Sequence, residues 1–195
     1  MNFHDVWSKI GFLPSLLYVF LADRTGIENF YTRIDKNVIL GALPSNSVLE
    51  KITTEENVKG VISVVRDWEL KLFNVNFTEW EGRGVAHLQL DTIEFEAPSL
   101  YAIEKGLEFI QKVAQSGGVT YIHCKAGRSR SATLTACYLI KNYNMNPDDA
   151  VKYITYKRKQ IRITKTEKAQ IDQCYNIYGS ADGSTRAPVQ VNDDI

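Results

Sequence analysis

Residues 119–140 read Val119-Thr-Tyr-Ile-His123-Cys124-Lys125-Ala126-Gly127-Arg128-Ser129-Arg130-Ser131-Ala-Thr-Leu-Thr-Ala-Cys137-Tyr-Leu-Ile140. The opening run is rich in β-branched and aromatic residues and reads as a buried strand ending at His123. A short loop of small residues follows, and a helix begins near Ser131. A cysteine at the base of such a loop faces the amides of residues 125 to 130 and the positive end of a helix, which together hold an anion. The same field favours thiolate over thiol, and helix N-termini bring a cysteine to a pKa of about 3.5–7.5. Cys124 is therefore expected to be ionised at neutral pH. Arg130 returns across the loop and can give two parallel hydrogen bonds to a bound phosphate. Lys125, Ala126, Gly127, Arg128 and Ser129 complete the expected phosphate cradle. Ser131 can donate to the sulfur, and His123 is expected to orient the loop rather than act as a base. Phosphoryl transfer to sulfur needs this spacing, with amides and guanidinium stabilising the equatorial oxygens while sulfur lies in line with phosphorus. The plainer reading is a buried strand cysteine followed by a solvated basic turn.

Outward from this segment the pattern is α/β. Val38 to Leu40, Val58 to Val65 and Val85 to Leu90 read as further strands. Ile103, Leu107, Ile110 and Ala114 recur at helical spacing, and Gly117-Gly118 stops that helix before the strand at Val119. Two more helices follow residue 130, separated at Asn144 to Pro147, with Pro147 suited to a first turn. A last helix runs from about Thr166 to Tyr178. Strands alternating with helices predict a central, mostly parallel sheet flanked by helices, with ligands where strand ends meet helix starts.

The chain has 195 residues, 23 Lys+Arg against 23 Asp+Glu, and three cysteines. That length suits one domain, and so few cysteines exclude a disulfide framework and point to a reducing compartment. A formal net charge of zero gives no global pull towards nucleic acid. Anion binding must then be local. Residues 10 to 22 form an apolar stretch too short to span a bilayer, which needs about 20 residues. It reads as a packed helix or as a segment lying in a membrane interface, where Trp7, Phe12, Tyr18 and Phe20 would be at home. The expected organisation is an N-terminal segment over 1–26, a catalytic domain over 27–178 and a disordered tail over 179–195.

His-Cys-(five residues)-Arg-Ser resembles the signature of the cysteine-dependent protein tyrosine and dual-specificity phosphatases. Asn29 to Asp35, Val38 to Pro44, Glu56 to Ile62 and Cys124 to Ser131 together resemble the mitochondrial phosphatidylglycerophosphate phosphatases of that superfamily. The resemblance implies the cysteine-phosphatase fold of dual-specificity type. It also implies removal of the terminal phosphate of phosphatidylglycerophosphate in cardiolipin synthesis, at the matrix side of the inner mitochondrial membrane. An anionic phospholipid is then the expected partner, with peripheral membrane contact, a monomeric chain and no nucleic acid. The alternatives are a protein dual-specificity or phosphoinositide phosphatase, and a non-catalytic phosphate-binding module.

A leaving alkoxide calls for a carboxylic acid. In the superfamily that acid lies on the loop after the strand preceding the long helix, here Leu90-Asp91-Thr-Ile-Glu94-Phe-Glu96-Ala-Pro98. Asp91 is the expected general acid and Glu94 the alternative. Lys125 and Arg128 add cations that suit a polyanionic headgroup. Arg66-Asp67-Trp68-Glu69 falls where the resembling family walls its cleft with an acidic-aromatic loop. Lys157-Arg158-Lys159 and Arg162 read as a solvated basic face, with attraction to anionic lipid as the alternative. Cys137 and Cys174 read as small core residues. No cofactor is expected, and no metal, because His4, His87 and His123 do not combine with other ligands at metal spacing.

Overall fold

The computed structural model describes residues 29–73 and 77–179, together with Pro14, Leu17 and Leu21. Apart from those three positions and Gly179, the segment expected over 1–26 and the tail expected over 179–195 lie outside the described residues. The chain runs β1 (Tyr31–Arg33), β2 (Val38–Gly41), α1 (Asn46–Glu55), β3 (Val58–Ser63), α2 (Asp67–Phe73), α3 (Phe77–Gly82), β4 (Ala86–Gln89), α4 (Leu100–Gln115), β5 (Val119–His123), α5 (Arg130–Tyr143), α6 (Pro147–Lys157) and α7 (Lys165–Tyr178).

The five strands form one sheet in the order β1-β2-β5-β3-β4, parallel throughout except for the antiparallel edge strand β1. The expected mostly parallel sheet flanked by helices is what the chain forms. β5 lies at the centre with every residue buried, which is why Val119 to Ile122 carries β-branched and aromatic residues on both faces, with Thr120 buried among them, and no outward charged face. Register places Gly41, His123 and Ser63 side by side at the carboxyl ends of β2, β5 and β3. The loops that follow these strands and β4 therefore open on one edge, where ligands bind in sheets of this kind.

α5 runs through the middle of the helical layer, against α4, α6, α7 and the sheet. Every residue from Arg130 to Ile140 is buried, so its sequence carries small and apolar residues on all sides instead of one stripe. Gly106 on α4 permits this packing, because a Cβ there would lie 2.8 Å from the Leu134 methyls. Cys137 and Cys174 face each other, fully buried, between α5 and α7. Asp35 fastens the β1–β2 turn to α5: one carboxylate oxygen accepts the amides of Asn37 and Val38, the other the hydroxyls of Tyr138 and Tyr143 at 2.6 and 2.7 Å.

Ser45, Ser99, Asn146 and Thr164 each cap a helix by accepting an amide of its first turn. α5 is different. Its N-cap residue Ser129 makes no side-chain cap bond, and the amides there are directed at the site. Among the described residues no helix is long and apolar enough to cross a membrane.

Candidate active site

β5 delivers Cys124 to the open edge of the sheet, and the loop from Lys125 to Ser129 curls over it into α5. The shape of this loop is set from outside. The carbonyl of Cys124 lies 3.1 Å from Nδ1 of His123, and that of Lys125 accepts the amide of Leu43 at 3.1 Å. Arg158 donates to the next two, from Nη2 to Ala126 at 3.3 Å and from Nε to Gly127 at 2.8 Å. The Arg128 carbonyl accepts the amide of Arg162 at 2.9 Å. Five successive carbonyls thus point outward. In a trans peptide unit the following N–H points the opposite way, so the amides of residues 125 to 129 turn to the inside of the loop. Gly127 makes the turn at φ +64°, and a Cβ there would sit 2.3 Å from the Gly41 carbonyl oxygen. Only glycine fits both the angle and the contact.

Cys124 is 3% exposed. Burial alone would push its pKa up. The Arg130 guanidinium, the Ser131 hydroxyl at 3.2 Å, and the amides of Ser131 and Arg128 outweigh burial and hold the thiol below its ordinary range. The surroundings expected of an ionised cysteine are therefore assembled. His123 is fully buried, and burial drives its pKa down to about 3. It is neutral at physiological pH, as an orienting hydrogen-bonding residue should be.

Arg130 is itself held in place. Nη1 and Nη2 meet the two carboxylate oxygens of Glu69 at 2.7 and 3.0 Å, and Nη1 also donates to the Thr92 carbonyl at 2.9 Å. Glu69 is completely buried and also accepts the Arg66 amide at 3.0 Å. A planar fork on a carboxylate fixes the plane of the guanidinium before substrate arrives. The sequence reading placed Glu69 in a wall of the cleft and missed this role. The available signal was an acidic residue in the first turn of a helix following a strand, and nothing in its spacing names the partner. Trp68, expected at the cleft wall, is half-buried against the core.

The acid loop presents its two candidates differently. Asp91 is 65% exposed on its side chain and pairs with Arg66 Nε at 2.8 Å. Glu94 is only 11% exposed and pairs with Lys125 in the phosphate loop. Its second oxygen, Oε2, is buried without a hydrogen-bond partner. Lys125 and Arg130 thus each meet a carboxylate, so the positive charge counted from the sequence is partly matched within the protein. Among the described residues no three His, Cys, Asp or Glu side chains gather as a metal ion would require.

The basic run near residue 158 requires a correction. Lys159 and Arg162 are exposed, but Arg158 is 2% exposed. Besides the two loop carbonyls it bonds the Asn29 carbonyl at 2.8 Å, Thr32 Oγ1 at 3.3 Å and the Phe30 carbonyl at 3.4 Å. The solvated-face reading fails here because a long basic side chain in a polar run gives no sign, from sequence, of the backbone that will close over it.

A depressed cysteine under a ring of inward amides, beside a forked arginine on an α/β sheet, defines a cysteine-type phosphatase. Residues 38–177 match the family described as dual specificity phosphatase, catalytic domain, and the chain belongs to that family. It is 37% identical over 164 residues to the rat protein named phosphatidylglycerophosphatase and protein-tyrosine phosphatase 1, covering 82% of this chain and 85% of the relative. The human protein of the same name is 38% identical over 160 residues, 80% of each. An Arabidopsis thaliana phosphatidylglycerophosphate phosphatase, PTPMT1, is 31% identical over 88% of this chain and 50% of its own length. Among solved structures, PTPMT1 in complex with PI(5)P superposes with a TM-score of 0.74 at 35% identity, covering 77% of this chain and 97% of that one. The resemblance drawn from the motifs is borne out.

Replacing Arg158 by Met separates the two readings of the basic run. A solvated cation would change stability by no more than about 0.5 kcal/mol. The buried clamp predicts a loss of at least about 3 kcal/mol in urea unfolding, because several carbonyls lose their donors together. It also predicts weaker inhibition by inorganic phosphate, since the loop amides lose their orientation.

Proposed function

We propose that this chain hydrolyses the terminal phosphomonoester of phosphatidylglycerophosphate, giving phosphatidylglycerol and phosphate through a phosphocysteine on Cys124. The observation that carries the phosphocysteine is the placement of the Cys124 sulfur, 3.2 Å from the Ser131 hydroxyl at the base of a loop whose carbonyls are all turned outward. The substrate rests on the names of the rat, human and Arabidopsis relatives. In the first step sulfur forms a bond to phosphorus while the bond to the glycerol oxygen breaks, and a carboxylic acid gives that oxygen its proton. In the second a water oxygen bonds to phosphorus, the carboxylate takes the water's proton, and the thiolate leaves. Arg130 and the amides of Lys125 to Ser129 grip the transferring group in both steps.

Geometry favours Glu94 over Asp91 as the proton donor, because Glu94 touches the phosphate loop while Asp91 is drawn to the rim by Arg66. Catalysis is assigned to residues 27–178. The setting that goes with the motif resemblance is the matrix face of the inner mitochondrial membrane, reached by peripheral contact. The rival reading is a protein phosphatase, and the double name of the rat and human relatives favours keeping it in view.

Turnover of phosphatidylglycerophosphate in vesicles, compared at equal concentration with monophosphorylated inositol lipids and phosphotyrosine peptides, is expected to be fastest. Faster turnover of the peptides would reverse the proposal. Glu94→Gln is expected to lower kcat about 100-fold or more, the usual worth of a general acid, and Asp91→Asn less than about tenfold. The opposite ranking would restore Asp91 to the role expected from sequence.

A further inference from the structure

His87 is a titratable side chain beyond the catalytic loop that the proposed reaction does not use. His87 lies on β4, two strands away from Cys124 across the sheet. Its Nε2 is 2.9 Å from Ser63 Oγ, and the same oxygen is 2.7 Å from His123 Nε2. Its ring lies flat against Phe77, centroids 3.7 Å apart and planes 6° from parallel. The partners fix every proton in this chain. The Cys124 carbonyl can only accept, so His123 Nδ1 carries a hydrogen. A neutral His123 then has a bare Nε2, which must take the single hydrogen of the Ser63 hydroxyl. Ser63 Oγ is left as an acceptor, and His87 Nε2 must donate to it. The direction is unbroken: His87 to Ser63, Ser63 to His123, His123 to the Cys124 carbonyl.

We infer that His87 and Ser63 are positioning residues for the cysteine, acting through His123 to hold the Cys124 peptide in the orientation that places its sulfur under the loop amides. The inference rests on the proposed phosphocysteine reading. Of the five outward carbonyls it concerns the first, the one belonging to the nucleophile's own residue. Leu43, Arg158 and Arg162 hold the others by different means. A sulfur displaced from the amides of Arg128 and Ser131 loses two of the contacts that depress its pKa, so weakening the relay raises the pH at which the thiol ionises. Chains of hydrogen bonds polarise one another, so a break at the far end is felt at the near end. The charged side chain that acts on the sulfur is Arg130, which itself faces Glu69 and Glu94, and Glu94 pairs with Lys125 of the loop. His87 is held down to about 4 by burial and is uncharged at neutral pH. A shift on its replacement therefore reads geometry and not a lost charge.

The experiment is pH-dependent alkylation of Cys124 by iodoacetamide, read by mass spectrometry, beside kcat/KM for p-nitrophenyl phosphate. His87→Phe keeps an aromatic face for Phe77 and removes the donor; His87→Gln keeps a donor. The Phe substitution is expected to shift the alkylation profile to higher pH and to lower kcat/KM about threefold to tenfold, the scale of one neutral hydrogen bond. The Gln substitution is expected to stay within about twofold of wild type. Ser63→Ala is expected to give the same upward shift, and adding His87→Phe to it to change nothing further, because the relay is already cut. If His87→Phe does not fold, Ser63→Ala and His87→Gln carry the test alone. An unshifted profile in Ser63→Ala, additive effects in the double variant, or equal losses in the Gln and Phe variants would each overturn the relay. Failure of the underlying reading looks different: wild type would then release no phosphate from p-nitrophenyl phosphate, or Cys124→Ser would still release it.

Discussion

The peptide units from Cys124 to Arg128 can turn their N–H groups towards an anion only because donors outside the loop take their carbonyl oxygens. The loop from Lys125 to Ser129 has no regular ladder to satisfy its backbone, and buried amide groups left without partners are costly. Here the outer half of each peptide is satisfied by the protein, and the inner half is directed at sulfur and at the place for phosphate. His123, Leu43, Arg158 and Arg162 supply those outer donors from β5, the segment after β2, and the chain between α6 and α7. The sheet matters to the chemistry chiefly because it brings β2 and β3 alongside β5 with their carboxyl ends level.

The same principle governs the charges. Arg130 is fully buried, and an unpaired cation there would be expensive; Glu69 pairs with it through both oxygens and removes its freedom to rotate. Lys125 is matched by Glu94, and Arg66 by Asp91. The loop is therefore not a pool of loose positive charge waiting for an anion. In the proposed reaction the grip on a phosphomonoester comes from fixed dipoles and one fixed guanidinium, which need no rearrangement as charge develops on the transferring group.

Much of this was legible in the sequence. The apolar runs at Val38, Val58, Val85 and Val119, and the helical spacing after Ile103, foretold four strands and the long helices, because burial on one or both faces writes a period into the chain. Cys124, Arg130 and Ser131 stood out because the loop is local: six or seven residues carry the nucleophile, the guanidinium and the hydroxyl. What could not be read is what arrives from afar. β1 is three residues long and α2 and α3 are seven and six, too short to show a period. Glu69, Arg158, Ser63 and His87 lie between 24 and 61 residues from the partners they serve, and only tertiary structure joins them. The expectation of Asp91 over Glu94 comes from its place directly after a strand and from motif likeness, and neither carries the pairings with Arg66 and Lys125.

The nucleophile, the anion site and the relay behind them all converge on the state of one sulfur. Alkylation of Cys124 by iodoacetamide across pH, with modification at that residue followed by mass spectrometry, measures it directly. A depressed thiol stays reactive as the pH falls through about 8.5, the ordinary cysteine value, and slows only at lower pH as it takes up its proton. That profile should move back up when Arg130→Met removes the principal charge that depresses it. A wild-type profile centred at the ordinary cysteine value, unmoved by Arg130→Met, would contradict the account.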